Sequence, residues 1–538
     1  MRNAESNYMR SNKDPVPFPR TVRTPYEVLN TSCRAGKEMP GGFIPLMPED
    51  AVMSGSMARV IVQMEETEKL LSNAVRVKAD AYFVSYAALD RFDGLDAVAF
   101  AWAQRVGAEL IVEKHTVDAA LVDWYGKFGE HVSVGDEVNS LYLEAYNQVV
   151  NYKRRMVSKS LDERLPTDKT LARCLWGETA LARVVPDWDA GMLTASAELQ
   201  FVGTQLPVKT DAVASEQISI QDVDGTDISF YSSSTTSTGI ARAGIDKTGT
   251  EGVDYHRLFA QLAGGSGTVS LAAIENAKKT KAFAEMRARM SGTDEDLINL
   301  LMRGFRIPNQ AYHDPILMGS ATSMISQTAR YATDSANLDN YVANGAGMVQ
   351  LPLNLPQQQT GGVVVITYSV TPEPVFDRQY PAFLYKDFGD LPQALRDYMD
   401  EQPVQIVPNR FVDNLHSNPD TTFGFAPLNH DWSMRRIKMG ARYLRTLASG
   451  ASDEDQQHVW SVRQVDPVLD QDTFLVPTNL AHNVFLATLE DPFIVRVEWD
   501  AKIQGITQFG PALYESTGDY AAVASVIPDN DLTPPSEV

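Results

Sequence analysis

Apolar and polar positions repeat along the chain at two periods. In residues 75–86 (VRVKADAYFVSY), Val75, Val77, Ala79, Ala81 and Phe83 alternate with Arg76, Lys78, Asp80 and Tyr82. That period of two predicts a half-buried strand. Residues 57–64 (MARVIVQM) predict another. Phe43-Ile44-Pro45-Leu46 is short and interrupted by proline, which suits a sheet edge or a strand end. Further β-rich runs occupy 361–370, 483–489, 493–499 and 501–508. Between them, Leu95, Val98, Ala99, Trp102, Val106 and Leu110 recur at helical spacing. Val138, Leu141, Tyr142, Ala145, Val149 and Tyr152 do the same. A third helix is predicted over 271–290, rich in Ala, Glu, Lys and Arg, with Gly292 as its stop. Strands, then a helical insertion, then strands again point to a mainly β domain with long excursions, and away from a βαβ enzyme.

Composition narrows the class. Of 538 residues, 44% are apolar and 22% charged, which excludes a wholly disordered chain. The length allows several cores, or one core with large insertions. Lys and Arg number 47 against 69 Asp and Glu, a formal charge of -22. So acidic a chain is no ordinary nucleic-acid binder; contact with phosphate must be local or made through a basic partner. Cys33 and Cys174 are too few for a disulfide scaffold or a four-cysteine zinc site, and read as buried free thiols in a reducing compartment. The first thirty residues hold no apolar signal core. The most membrane-like stretch, 345–370, is broken by Asn, three consecutive Gln, Pro352 and Pro356. The expectation is a soluble chain made in the cytosol.

Residues 1–40 read as an extended arm. Pro15, Pro17, Pro19 and Pro25 favour polyproline-like backbone, while Arg2, Arg10, Lys13, Arg20 and Arg23 make it basic. A loose terminus and an arm reaching a neighbouring subunit or a polyanion both fit. Residues 41–205 and 361–520 hold the predicted strands. Residues 206–267 are poor in large apolar side chains and carry SSSTTSTG at 232–239, so they read as a surface excursion with Ser232, Ser233, Ser234, Thr235 and Thr236 at its exposed tip. Residues 268–360 read as a helix and a long loop, and 521–538 as a flexible acidic tail.

Candidate chemistry is sparse. The eight histidines, at 115, 131, 256, 313, 416, 430, 458 and 482, include no pair at the spacing of a helical zinc site. Gly264-Gly265-Ser266-Gly267 lacks the last glycine of a nucleophile elbow and the lysine of a phosphate loop. In DVDGTD (222–227), Gly225 stands fourth where a calcium loop needs its glycine sixth, so an Asp-Gly hairpin turn is the better reading. No catalytic or metal-binding residue is assigned, and no cofactor. Two clusters are basic: Lys153, Arg154 and Arg155, and Arg435, Arg436, Lys438, Arg442 and Arg445. Ion pairing with acidic segments and contact with phosphate both suit them.

Several segments in fixed order carry a resemblance. CRAGKEMPGGFIPL (33–46), MARVIVQM, VKADAYFVSY and a Trp-bearing helix are followed by NSL (139–141), AYNQVVN (145–151) and VPDW (185–188). Then come the helix at 271–290, LINLLMRGFRIPNQAYHDPILMGS (297–320), GGVVVITYSVTPEPVFDRQYPAFLY (361–385) and FIVRVEWDAKIQGITQFGPALYES (493–516). In this order they resemble the major capsid protein of microviruses, small icosahedral single-stranded DNA phages, and among them the gokushovirus-like branch. The resemblance covers about 40–520 in pieces; 205–265 and 410–480 depart from it.

The resemblance implies an eight-stranded antiparallel viral jelly roll with long, partly helical insertions between strands. It implies no enzyme but a virion protein, about sixty copies of which close into a T=1 icosahedral shell around a circular genome in the host bacterial cytoplasm. The implied partners are further copies of the chain, the single-stranded DNA genome, a small basic DNA-packaging peptide, an internal scaffolding protein during assembly, a pilot protein and the host cell surface. On this reading the basic clusters face the genome, and 206–267 forms a protrusion. A β-sandwich that binds or acts on carbohydrate is the alternative.

Overall fold

The computed structural model describes residues 19–187, 313–331, 341–374, 404–430 and 466–513, with short gaps, plus 220–221, 227–228 and a few positions in 379–384 and 437–460. The chain divides into two compact units, Met1–Asp189 with Met290–Val538, and Ala190–Arg289. In chain order the strands are β1 (Thr21–Arg23), β2 (Tyr26–Cys33), β3 (Glu38–Leu46), β4 (Ala51–Thr67), β5 (Val75–Ser85), β6 (Lys114–Thr116), β7 (Glu137–Asn139), β8 (Ile220–Gln221) and β9 (Asp227–Ile228). They continue with β10 (Ile316–Met324), β11 (Ser326–Tyr331), β12 (Tyr341–Leu355), β13 (Gly362–Pro372), β14 (Val404–Pro408), β15 (Thr422–Pro427), β16 (Phe493–Asp500) and β17 (Ile503–Gly505). The described helices of the first unit include α1 (Leu95–Trp102), α2 (Ala119–Gly126) and α3 (Leu141–Val157).

Two antiparallel sheets in the first unit share one apolar core, an arrangement compatible with a β-sandwich. The seven-stranded sheet runs β1-β17-β4-β12-β11, with β16 also beside β4 and β2 on the far side of β16; the four-stranded sheet runs β10-β5-β13-β3. Three further two-stranded pairs are β6–β7, β8–β9 and β14–β15. In the larger sheet the alternation of β4 sets the two faces. Val60 lies opposite Val349 and Val497, and all three are buried. Arg59, between Gln350 and Glu498, points to the other side. One face is apolar and the other polar, as in a sheet with one side open to water.

The smaller sheet is different. All eleven residues of β13 are buried, and so is β5 from Ala79 onward. Its outer face is covered by α2, α3 and their flanks: Phe43 stacks on Tyr142 at 4.5 Å between ring centroids and meets Phe128 at 4.9 Å. Strand β5 is therefore a doubly covered strand through most of its length, not the half-buried one that its alternation predicts. Tyr82 can sit inside because α3 carries Tyr152 to 6.0 Å from it.

Glycine permits the closest approaches. A Cβ on Gly42 would lie 2.8 Å from Nε1 of Trp499, whose ring comes from the other sheet. A Cβ on Gly345 would meet Cγ2 of Ile325 at 2.7 Å and the Ser326 carbonyl oxygen at 2.8 Å. Buried Ile325 is the corner where the chain passes from β10 in one sheet to β11 in the other.

Several expectations need correction. Residues 21–33 are not arm but strands β1 and β2, because Arg23 reaches the buried carboxylate of Asp50 at 2.5 Å and β2 pairs along all of β16. Residues 316–355 hold two long strands and the shorter β11 where the sequence predicts a helix and loop; their Gly, Ala, Ser and Gln positions hide an alternation that packing makes plain. The run 483–489 is not a strand, contributing only an isolated bridge from Phe485 to Thr67. Of 501–508 only β17 is extended, and α1 ends at Trp102 rather than near 110. The sheets number seven and four strands, against eight in all. Pro45 does lie on an edge strand, β3. The 271–290 helix, the 232–236 tip, residues 1–18 and the acidic tail lie outside the described residues, as does the turn 222–226 between β8 and β9.

If Gly42 sets the spacing of the two sheets, Gly42→Ala should destabilise by about 1–3 kcal/mol in urea denaturation through overpacking. Adding Trp499→Phe, which removes the indole nitrogen, should restore part of the loss.

Candidate functional site

The segment AYNQVVN lies in α3, and each of its polar residues has a defined task. Leu141, Ala145, Val149 and Val150 supply the apolar side, Glu144 sits in the first turn, and Arg154 and Arg155 sit in the last, where they oppose the helix dipole. Residues 143–151 are buried without interruption, so polar groups there must be satisfied within the protein.

Most are satisfied by backbone, while Gln148 Nε2 donates to Asp90 Oδ1 at 2.5 Å. Tyr146 Oη donates to the Glu38 carbonyl at 2.7 Å and accepts from the Ala172 N–H at 3.0 Å. Asn147 Nδ2 donates to the carbonyls of Pro166 and Asp168, both at 2.9 Å. Asn151 exchanges two bonds of 2.8 Å with the backbone of Arg164, and Arg154 donates to the Asp162 carbonyl at 2.6 Å. Asn147, Asn151 and Arg154 fall on one helix face by their spacing, and together hold the strap 158–176. Earlier on the same face Glu144 receives Arg91 at 2.7 and 2.9 Å, and Arg91 also binds the Ile111 carbonyl.

The side of α3 that meets the four-stranded sheet carries Lys153. Its Nζ lies 2.5 Å from Glu38 Oε1, 2.7 Å from Asp80 Oδ2 and 3.0 Å from Thr367 Oγ1, and 5.3 Å from the Tyr82 ring centre. Asp80 also accepts from Ser320 at 2.5 Å. Glu38 is on β3, Asp80 on β5, Ser320 on β10 and Thr367 on β13. One ammonium thus gathers three strands of the sheet under the helix, and Asp80 links the fourth, β10, to it.

Burial alone would lift Asp80 and depress Lys153. The facing charges outweigh it: Lys153 and Lys78 hold Asp80 below its ordinary value, and Glu38 with Asp80 raises Lys153. The Asp80 contribution is present above the ordinary carboxylate range and is lost as pH falls through it. The Lys153 contribution is present up to the ordinary lysine range and is lost only above it. Between those limits Asp80 and Lys153 are both charged. A lysine held protonated offers no lone pair for attack, and this one is sealed beneath a helix, so the arrangement serves position rather than turnover. Among the described residues, no group of three or more His, Cys, Asp or Glu side chains is placed to hold a metal ion.

The first basic cluster is therefore not a surface patch. Lys153 and Arg154 are spent inside the protein, and Arg155, partly exposed, faces Asp314 at 3.2 Å and Glu163 at 3.9 Å. A run of three cations at a helix end normally points to water, but here Lys153 faces the sheet and Arg154 the strap. Of the second cluster, Lys438 is exposed and Arg442 lies in the short turn Ala441–Tyr443; Arg435, Arg436, Arg445 and the side chain of Arg442 lie outside the described residues. The partners Glu38 and Asp80 were not anticipated. The available signal was Asp80 standing immediately before the apolar run 81–84 of its strand.

No protein-family model and no curated protein matches the chain.

Lys153→Met should cost about 3–5 kcal/mol in urea denaturation, because it strands two buried carboxylates. Adding Asp80→Asn and Glu38→Gln should recover much of that loss; no recovery would mean that the charges are not coupled.

Proposed function

We propose that the chain is a major capsid protein of the microvirus type, a shell subunit built on a viral jelly roll. The observation that carries the reading is the order of the eight long strands β2, β3, β4, β5, β10, β12, β13 and β16. Taken in chain order, the first, eighth, third and sixth are neighbours in one sheet, and the fifth, fourth, seventh and second in the other. That interleaving supports a double Greek key of the kind that capsid proteins share with some lectins and cupins. Two further features support a shell subunit over its relatives. The described insertions after β5 build a layer of helices against one face, and the charged interior of that layer fixes shape.

On this reading mechanism means assembly. Heterologous contacts that close around fivefold and threefold axes give a finite container instead of a fibre. About sixty copies at -22 each would carry roughly -1300, so DNA cannot be drawn in by the average field of the shell. A small basic peptide would neutralise the genome, with Arg435, Arg436, Lys438, Arg442 and Arg445 as the remaining local patch.

Negative-stain imaging of the purified chain tests the proposal. Closed particles of about sixty subunits are expected. Monomers that bind oligosaccharide would replace it with the carbohydrate reading.

A further inference from the structure

Residues 480–486 lie between the end of β4 and the turn that follows β2. Leu486 N–H donates to the Glu66 carbonyl at 3.0 Å, and Glu68 N–H to the Val484 carbonyl at 3.4 Å. On the other side, the Ala35 N–H donates to Nε2 of buried His482 at 3.3 Å, and Nδ1 of the same ring lies 2.9 Å from the Leu480 carbonyl. A carbonyl only accepts and a backbone N–H only donates, so the ring must be neutral with its proton on Nδ1. A second proton would have to go on Nε2, against an N–H. The ring also packs against Trp460 at 5.6 Å and Phe485 at 6.0 Å, with the Trp460 indole N–H held by the Ala481 carbonyl at 2.7 Å.

We propose that residues 480–486 form an acid-released clasp: protonation of His482 breaks the bond to Ala35 and frees the turn after β2 from the segment that leads to β16.

The charged groups around the ring favour this. From the turn, Arg34 faces it while donating to the carbonyls of Thr488 and Leu489. From the approach to β16, Asp491 faces it but is engaged by Ser32 at 2.9 Å. The Trp460 segment brings His458, bonded to the Leu70 carbonyl, and the end of β4 brings Glu66, 3.8 Å from Arg330, and Glu68. Burial first, and then Arg34, push His482 down to about 4. A histidine depressed in the fold contributes stability that is complete above its unfolded value near 6.5 and is lost as pH falls toward the folded value.

Hydrogen exchange of the full chain, corrected for intrinsic rates, tests this at pH 7 and pH 4.5. Peptides covering 33–37 and 480–486 should lose protection about tenfold or more, while β13 peptides hold theirs. His482→Gln, whose amide oxygen can accept from Ala35 without titrating, should abolish the loss. Arg34→Gln, which removes a like charge, should weaken it. Unchanged wild-type protection at pH 4.5, or an equal loss in His482→Gln, would overturn the proposal.

Discussion

The four-stranded sheet carries apolar side chains on both faces, so in water it persists only if each face is covered by something else. The seven-stranded sheet covers one face through Trp499, Val497 and their neighbours. Helix α3 covers the other. The helix is held there by more than apolar contact, because Lys153 reaches groups on β3, β5 and β13 beneath it. A buried ion cluster of this kind adds little net stability over an apolar one, since desolvation offsets much of the attraction. What it adds is register. Glu38, Asp80 and Thr367 can converge on one ammonium only when β3, β5 and β13 are aligned as observed.

The same helix orders the chain on its outward side. Asn147, Asn151 and Arg154 satisfy part-buried backbone carbonyls of the strap. The strap then returns to the sheet, where Cys174 N–H donates to the Gly36 carbonyl at 3.1 Å and Val476 N–H to the Cys174 carbonyl at 3.0 Å. Sheet, helix, strap and the 476 segment form a closed circuit. Such a body suits a subunit that must keep one shape while its edges meet neighbours, which is what the proposed shell requires.

Much of this architecture was legible in the residues, and the failures have physical causes. Strands β4, β5, β13 and β16 announced themselves because Val, Ile, Phe and Trp alternate or cluster there. Strands β10 and β12 did not, because their positions are largely Gly, Ala, Ser, Asn and Gln, small or polar residues whose burial depends on a partner strand. The motif AYNQVVN was readable as a helix, but its asparagines serve a strap that no local pattern discloses. Lys153 misled for a similar reason: with Arg154 and Arg155 it has the look of a solvated helix end, and only the distant acids at 38 and 80 turn it inward.

The two native thiols report on the circuit directly. Cys33 lies on β2 of the larger sheet and Cys174 at the end of the strap, and both are buried. Their labelling by a thiol reagent can be followed site by site in rising urea. If the helix and strap are a true layer of the core, both thiols become reactive in one cooperative transition at the same urea concentration as global unfolding. If Cys174 reacts well before Cys33, while the sheets remain folded, the layer is an appendage and the account fails.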